Sequence, residues 1–298
     1  MIAQDDWPKM TGYEALRNGA AWMDLSARGK IKLTGEDRAR LLHAMTTNHI
    51  QQLTPGSGCY AFFLNDKGRV LADANVLCRP DYFLLDVEPE TRQPLYQHLD
   101  RFIIADDVTL EDATDTIATI ALEGPRAAEV LERAGAPSPD AEYSTVQWGE
   151  SIVARLNSTG SPGFFVFVPV AEKAALISRL KAAGAEPADA EAARVVRLEH
   201  GKPRFSEDIS DRFLAQEANQ PQALHFNKGC YLGQEIVERV RSRGQIHRVL
   251  KPLVLDIREP PAPGTKLELN GTGAAEITSA AYSPALGKVV ALAYVRTG

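Results

Sequence analysis

The strongest constraint on how this 298-residue chain can fold is an internal echo. Ile31-Lys32-Leu33-Thr34-Gly35 alternates as a strand does, and residues 36–45 then place Leu41 and Leu42 on one helical face. Ile120-Ala121-Leu122-Glu123-Gly124 repeats the pattern, with Pro125 as a first helical residue, Val130 and Leu131 on the helix, and a stop near Gly135. A second pair follows in the same order. Tyr82-Phe83-Leu84-Leu85-Asp86-Val87 precedes a helix over 91–99, and Phe164-Phe165-Val166-Phe167-Val168 precedes one over 172–181 that ends near Gly184. Two echoes in one order predict a pair of related α+β halves, each an antiparallel sheet with helices on one face.

Inside the first half, Asn65-Asp66-Lys67-Gly68 separates two apolar runs and reads as a hairpin turn, which puts Asp73 on a strand rather than in a loop. After Arg248 the texture changes to short apolar stretches at 252–257, 265–269 and 289–295, broken by Pro-rich and Gly-containing turns of which Asn270-Gly271 is the clearest. This spacing predicts a small β-barrel. The expected domains are 1–115, 116–244 and 245–298, with a domain assembled from two separated segments left open. No apolar run approaches the ~18 residues a spanning helix needs. Residues 1–8 carry neither a secretory nor a transit pattern, so a cytoplasmic protein with no membrane contact is expected. Three widely spaced cysteines, Cys59, Cys78 and Cys230, do not make a disulfide framework. There is no Cys-x-x-Cys, and only His225 among six histidines lies within five residues of Cys230, so no metal site is expected from this chain alone.

Charge is unevenly distributed. Residues 81–150 carry sixteen acidic side chains against four basic ones, whereas 228–251 hold Lys228, Arg239, Arg241, Arg243, Arg248 and Lys251 against only Glu235 and Glu238. That basic stretch reads either as a solvated helix end or as a surface for an anion. It opens with Asn227-Lys228-Gly229-Cys230-Tyr231-Leu232-Gly233-Gln234-Glu235, running into an amphipathic helix. A cysteine at a helix N-terminus meets unsatisfied N–H groups and the positive end of the helix dipole, both of which favour thiolate, and Lys228 adds to that field. The competing reading is a small cysteine in a tight turn. Cys59 and Cys78, in apolar runs, read as packing residues.

Lys228-Gly229-Cys230-Tyr231-x-Gly233-Gln234-Glu235 resembles the signature of the YgfZ-type folate-binding proteins, relatives of the glycine-cleavage aminomethyltransferase (T-protein) that act in iron-sulfur cluster assembly and repair, including for tRNA-modifying enzymes. The resemblance extends to the Gly35 strand-helix start, the Asn65-Asp66-Lys67-Gly68-Arg69-Val70 hairpin, Leu122-x-Gly124-Pro125, Arg197-Leu198-Glu199-x-Gly201 and the final Ala291-Leu292-Ala293-Tyr294-Val295. It implies duplicated ferredoxin-like, T-protein-like halves and a C-terminal barrel, three domains around a central hole that holds tetrahydrofolate or a one-carbon derivative. Carried over residue by residue, Cys230, Lys228 and Asp73 become the catalytic candidates, and Glu199, Arg197, Asp86 and Tyr231 the cofactor-binding ones. Glu199 matches the acid that takes two parallel hydrogen bonds from the pterin ring, and Asp73 the aspartate near the folate N5, where a carboxylate steers a proton. Without the resemblance, Glu199 reads as a salt-bridge partner of Arg197 or Lys202, and Asp73 as an ordinary strand residue. Two positions depart from the T-protein pattern: Cys230 replaces an aspartate, and Asp86 stands where an asparagine is usual.

Three functions follow from these readings. The first is a folate-dependent helper for iron-sulfur client or assembly proteins that uses Cys230. The second is an aminomethyl or one-carbon transferase that uses Asp73. The third is a non-catalytic folate-sensing scaffold. Direct nucleic-acid binding is not expected, because the chain is acidic overall and lacks an interleaved basic and aromatic surface. The arginines 239, 241, 243 and 248 are candidates for a folate polyglutamate tail.

Overall fold

A computed structural model describes residues 10–244, 246–269 and 272–297. The chain opens with α1 (Tyr13–Asn18) and β1 (Ala21–Asp24), then runs β2 (Gly29–Thr34), α2 (Arg38–Met45), β3 (Gly58–Leu64), β4 (Val70–Cys78), β5 (Phe83–Val87), α3 (Arg92–Asp100) and β6 (Thr109–Asp112). The same succession recurs as β7 (Ile117–Glu123), α4 (Ala127–Arg133), β8 (Thr145–Trp148), β9 (Ser151–Ala154), β10 (Gly163–Pro169), α5 (Lys173–Ala182) and β11 (Glu186–Pro187). After these come α6 (Ala190–Glu199), α7 (Gln234–Arg243), β12 (Arg248–Leu255), β13 (Lys266–Leu269), β14 (Thr272–Ser283) and β15 (Lys288–Arg296).

Sheet order makes the duplication concrete. The first sheet reads β3-β4-β5-β2-β6 and the second β8-β9-β10-β7-β1-β11, equivalent orders except that β1 is inserted between β7 and β11. β1 runs antiparallel to β7 and parallel to β11. The first strand among the described residues therefore completes the second sheet, and a division at residue 115 does not follow the sheets.

Side chains alternate across each strand, so one strand serves two cores. On β10, Phe164, Val166 and Val168 pack with Val130 of α4 and Leu180 of α5, while Phe165 and Phe167 point into a central cluster. On β4 and β5, Val76 and Leu85 face the helices of the first half, and Leu77 and Leu84 the same central cluster. Both faces are covered, which explains why these segments read as continuous apolar runs. Arg79, at the end of β4, ties the sheets together by donating to Thr145 Oγ1 at 2.7 Å and Gln147 Oε1 at 2.5 Å.

The last four strands form a separate antiparallel sheet of order β12-β15-β14-β13, with bulges between Leu267 and Glu268 and between Ile277 and Ser279. Among the described residues β12 and β13 do not pair, so the β structure expected here is present and closure into a barrel is not shown by the strand pairing; the Asn270-Gly271 turn lies outside those residues. This sheet is anchored by the segment after α6. Buried Asp208 accepts from Ser279 Oγ at 2.5 Å and Thr278 Oγ1 at 2.6 Å, and the Phe213 ring stacks on Tyr294 with centroids 3.6 Å apart.

Candidate functional site

A cavity of about 870 Å³ lies where the two duplicated sheets and α6 meet, within the roughly 300–1,000 Å³ usual for small-molecule sites. The first sheet contributes Tyr60 and Asp73 from adjacent strands. Ala72 and Ala74 turn toward the helices, so alternation along β4 forces Asp73 the other way. The Tyr60 hydroxyl donates to Asp73 Oδ2 at 2.6 Å. Burial, with the nearby charge of Glu88 adding to it, pushes the Asp73 carboxyl up to about 6, against the lowering effect of the Tyr60 hydrogen bond and the Arg28 charge.

Arg28, which sequence reading did not single out, fills the wall beside Asp73. Its Nε and Nη2 donate to Asp86 at 2.9 and 2.8 Å, and Nη1 pairs with Glu88. Burial works against the Arg28 charge, but Asp86 and Glu88 outweigh it and hold the guanidinium protonated. Asp86 is fully buried and also accepts from Asn75 Nδ2 at 2.8 Å. It therefore orients two cavity-lining side chains, Arg28 and Asn75, and is itself not in the lining.

The second sheet contributes a loop at 157–161. Fully buried Glu123, on β7, pins it by accepting from Ser158 N at 2.6 Å, Ser158 Oγ at 2.7 Å, Thr159 N at 2.9 Å and the Thr159 hydroxyl. Lys202 Nζ donates to Asn157 O at 2.5 Å and Asn157 Oδ1 at 2.6 Å, and burial lowers the affinity of its amine for a proton. The turn-rich Asn157-Ser158-Thr159-Gly160 was the available sequence signal for this loop.

Helix α6 forms the third wall through Ala190, Ala193, Arg194 and Arg197. Arg197 is held by Glu207 at 2.7 Å and Asp208 at 2.6 Å. Glu199 lies two residues on, roughly 200° around the helix at about 100° per residue, and faces α1 instead. Its carboxylate accepts from Tyr13 OH and Ser283 Oγ, each at 2.5 Å, and pairs with Arg17. The pterin-binding position expected for Glu199 is thus turned away from the cavity, and its salt-bridge partner is Arg17, not Arg197 or Lys202.

The signature residues form a separate locus. Lys228 is buried and donates from Nζ to the carbonyls of His43 and Thr46, the latter at 2.7 Å, capping the C-terminus of α2. His43 Nε2 donates to the Lys228 carbonyl at 2.7 Å, and the Lys228 ammonium lies 4.5 Å from the Tyr231 ring centroid. Burial brings the Lys228 amine down to about 8, and the thiol its charge acts on is Cys59, itself pushed up to about 12 by burial. Cys230 is exposed. Helix α7 begins at Gln234 behind an N-cap at Gly233, so the thiol lies ahead of the first turn and not on it as expected. Neither Lys228, Cys230 nor Tyr231 lines the cavity. Arg239, Arg241 and Arg248 do not line it either, and pair with Glu235, Glu238 and Glu217; the Arg243 side chain lies outside the described residues.

Residues 8–228 match the GCVT N-terminal domain family, and residues 248–298 the glycine cleavage T-protein C-terminal barrel domain. An aminomethyltransferase from Rubrobacter xylanophilus is 33% identical over 95% of this chain and 78% of its own length. One from Streptomyces coelicolor is 30% identical over 97% and 83%. The crystal structure of the glycine cleavage system aminomethyltransferase T from Bartonella henselae superposes with a TM-score of 0.88 at 22% identity, covering 95% of this chain and 80% of that one. These relatives are aminomethyltransferases, a broader grouping than the YgfZ type suggested by the signature.

Proposed function

The chain belongs to the glycine cleavage T-protein family, and from that premise we propose that it binds tetrahydrofolate in the central cavity and transfers a one-carbon unit there, as an aminomethyltransferase does. The observation that carries this reading is a buried, protonatable Asp73 held by Tyr60 in the wall of a folate-sized cavity. The residues fit such a ligand: Phe165 offers an aromatic surface, Asn75 and Arg28 offer donors, and Asp73 offers an acceptor of adjustable charge. Bound tetrahydrofolate supplies the nitrogen atoms that carry the carbon unit. Asp73 takes or returns a proton at Oδ1, because Oδ2 is held by Tyr60. Arg28, fixed by Asp86 and Glu88, keeps positive charge beside it. Incubation with an aminomethyl-lipoyl donor and tetrahydrofolate is expected to yield methylenetetrahydrofolate, ammonia and the donor's free dihydrolipoyl thiol. No product above background overturns the transferase reading.

The exposed Cys230 favours a second reading, in which the folate-loaded protein acts on iron-sulfur client or assembly proteins, including those serving tRNA modification. A thiol outside the cavity and open to solvent is placed to meet another protein. We propose that role as an activity of the surface, separate from cavity chemistry and closer to the YgfZ-type proteins. The domain units we propose are the two duplicated sheets, the second completed by β1, and the terminal sheet from Arg248.

A further inference from the structure

Three imidazoles meet where the segment leading into α7 crosses the end of α2. The His43 and His49 rings lie edge to face with centroids 4.7 Å apart, and the His49 and His225 rings likewise at 5.1 Å. Two backbone bonds dock the crossing segment: His225 N donates to Thr47 O at 2.9 Å, and Leu232 N to Ala44 O at 3.0 Å. Between these ties sit His43 and Lys228, which hold each other. His43 Nε2 donates to the Lys228 carbonyl, and Lys228 Nζ to the carbonyls of His43 and Thr46. The docked stretch also carries the exposed side chains of Phe226 and Cys230.

This pairing fixes where His43 can gain a proton. Because Nε2 donates to a carbonyl, the neutral ring leaves Nδ1 bare, and a further proton has to enter there. That Nδ1 is buried with no hydrogen-bond partner among the described residues, as is Nδ1 of His49, whereas His225 Nδ1 accepts from Asn227 N at 3.3 Å. A protonated His43 therefore buries an unpartnered N–H and sets a second positive charge beside Lys228. Its surroundings offer no compensation. They are His49, His225, the Lys228 ammonium with the Tyr231 ring beside it, and the Cys59 thiol of β3 that the ammonium acts on. Among the described residues no carboxylate pairs with any of the three histidines or with Lys228. Glu238 of α7, near Tyr231, pairs with Arg241, and Arg40 of α2 pairs with Asp37 and Asp106. Burial holds the His43 ring below the ordinary 6.5; its bond to the Lys228 carbonyl works the other way, and the neighbouring Lys228, His49 and His225 add to the lowering.

We propose that His43 and Lys228 form a proton-operated latch on the segment 225–232, closed while the His43 ring is neutral and released when it is charged. A ring whose proton affinity falls on docking stabilises the docked segment above the free imidazole value and loses that contribution as pH drops. The latch therefore loosens from about pH 6.5 downward. Lys228, whose amine is brought down to about 8, stays charged through that range. Acidification then changes how Phe226 and Cys230 are presented at the surface and leaves the cavity alone, since neither latch residue lines it.

Hydrogen exchange of the full chain tests the latch, read by mass spectrometry at pH 7.5, 6.5 and 5.5 with each rate normalised to that of the unfolded peptide at the same pH. Peptides covering 224–233 are expected to lose at least threefold in protection between pH 7.5 and 5.5, while peptides from β7 and β10 keep theirs. His43→Gln retains a donor for the Lys228 carbonyl and cannot take a proton, so its 224–233 protection is expected to be the same at all three pH values. Unchanged wild-type protection at pH 5.5 overturns the latch, and so does loosening that persists in His43→Gln. Should that variant not fold, NMR of the wild-type His43 ring decides: protonated at Nε2 alone at pH 7.5, and charged as the segment opens, is expected. A ring already charged at pH 7.5, or one still neutral when the segment has opened, overturns it.

Discussion

At the scale of single residues, the two candidate reactive groups differ in what their surroundings demand of them. Asp73 is buried, and its proton is held up to about pH 6, well above the ordinary carboxylate value. Raised in the fold, this group favours folding only while protonated. Stability is therefore lost as pH climbs from about 4 through 6, and the loss at pH 7.5 amounts to about 2–3 kcal/mol at 1.36 kcal/mol per unit. Asp73→Asn is accordingly expected to raise the melting temperature at pH 7.5, to leave it unchanged below about pH 4, and to abolish transfer activity. Thermal scans at the two pH values and the transfer assay check all three. If the wild-type reaction uses the carboxylate as a base, its rate rises through pH 6. Cys230 is the opposite case. An exposed side chain with no packing role contributes within about 0.5 kcal/mol, so Cys230→Ser should melt with the wild type and retain folate binding while losing support of client iron-sulfur enzymes in cells lacking the native protein. Unaltered client activity removes the second reading. Cys230 stood out in the sequence because a signature surrounds it, whereas Arg28 and Tyr60 did not, because an isolated arginine or tyrosine carries no pattern of its own.

At the scale of elements, two strand-helix units in the same order were legible in each half, with a hairpin between them in the first, since alternating and helical apolar patterns are local; β6, β8, β9 and β11, short strands of four residues or fewer, were not read. The insertion of β1 into the second sheet was not, because the pairing of Ala21 with Glu123 joins residues far apart in sequence. Helix α6 illustrates the same limit. Its closing Arg197-Leu198-Glu199 was singled out in the sequence but not the helix that carries it, and which face met the cavity depended on α1 packing against Glu199 from the other side. The signature makes clearer sense as an element boundary than as a thiol-activating motif. Gly233 begins α7 at φ 83°, and a Cβ there would sit 2.6 Å from the Asn65 carbonyl oxygen of the β3-β4 turn. Gly233→Ala should thus cost about 1–3 kcal/mol and lower the denaturation midpoint, with the loss concentrated in amide-exchange protection of α7 and the 65–68 turn. Equal stability of the variant would show that the turn gives way freely.

At the scale of the whole molecule, the central cavity is walled by both duplicated sheets and α6, so a ligand there bridges the halves. A tetrahydrofolate at 100 times its dissociation constant should add about 2.7 kcal/mol to stability, and a thermal scan with and without ligand measures it. No shift at saturating ligand would count against a cavity site. The sequence by itself determined the α+β class, the duplication and the change to β structure after Arg248, because periodicity, turn residues and capping act over neighbouring positions. Only the tertiary structure decided that Asp73 faces a cavity, that Glu199 faces away from it, and that Lys228 caps a helix beside Cys59. Each of those outcomes depends on which distant carboxylate, carbonyl or ring comes within reach, and that is fixed by how the sheets and α6 pack.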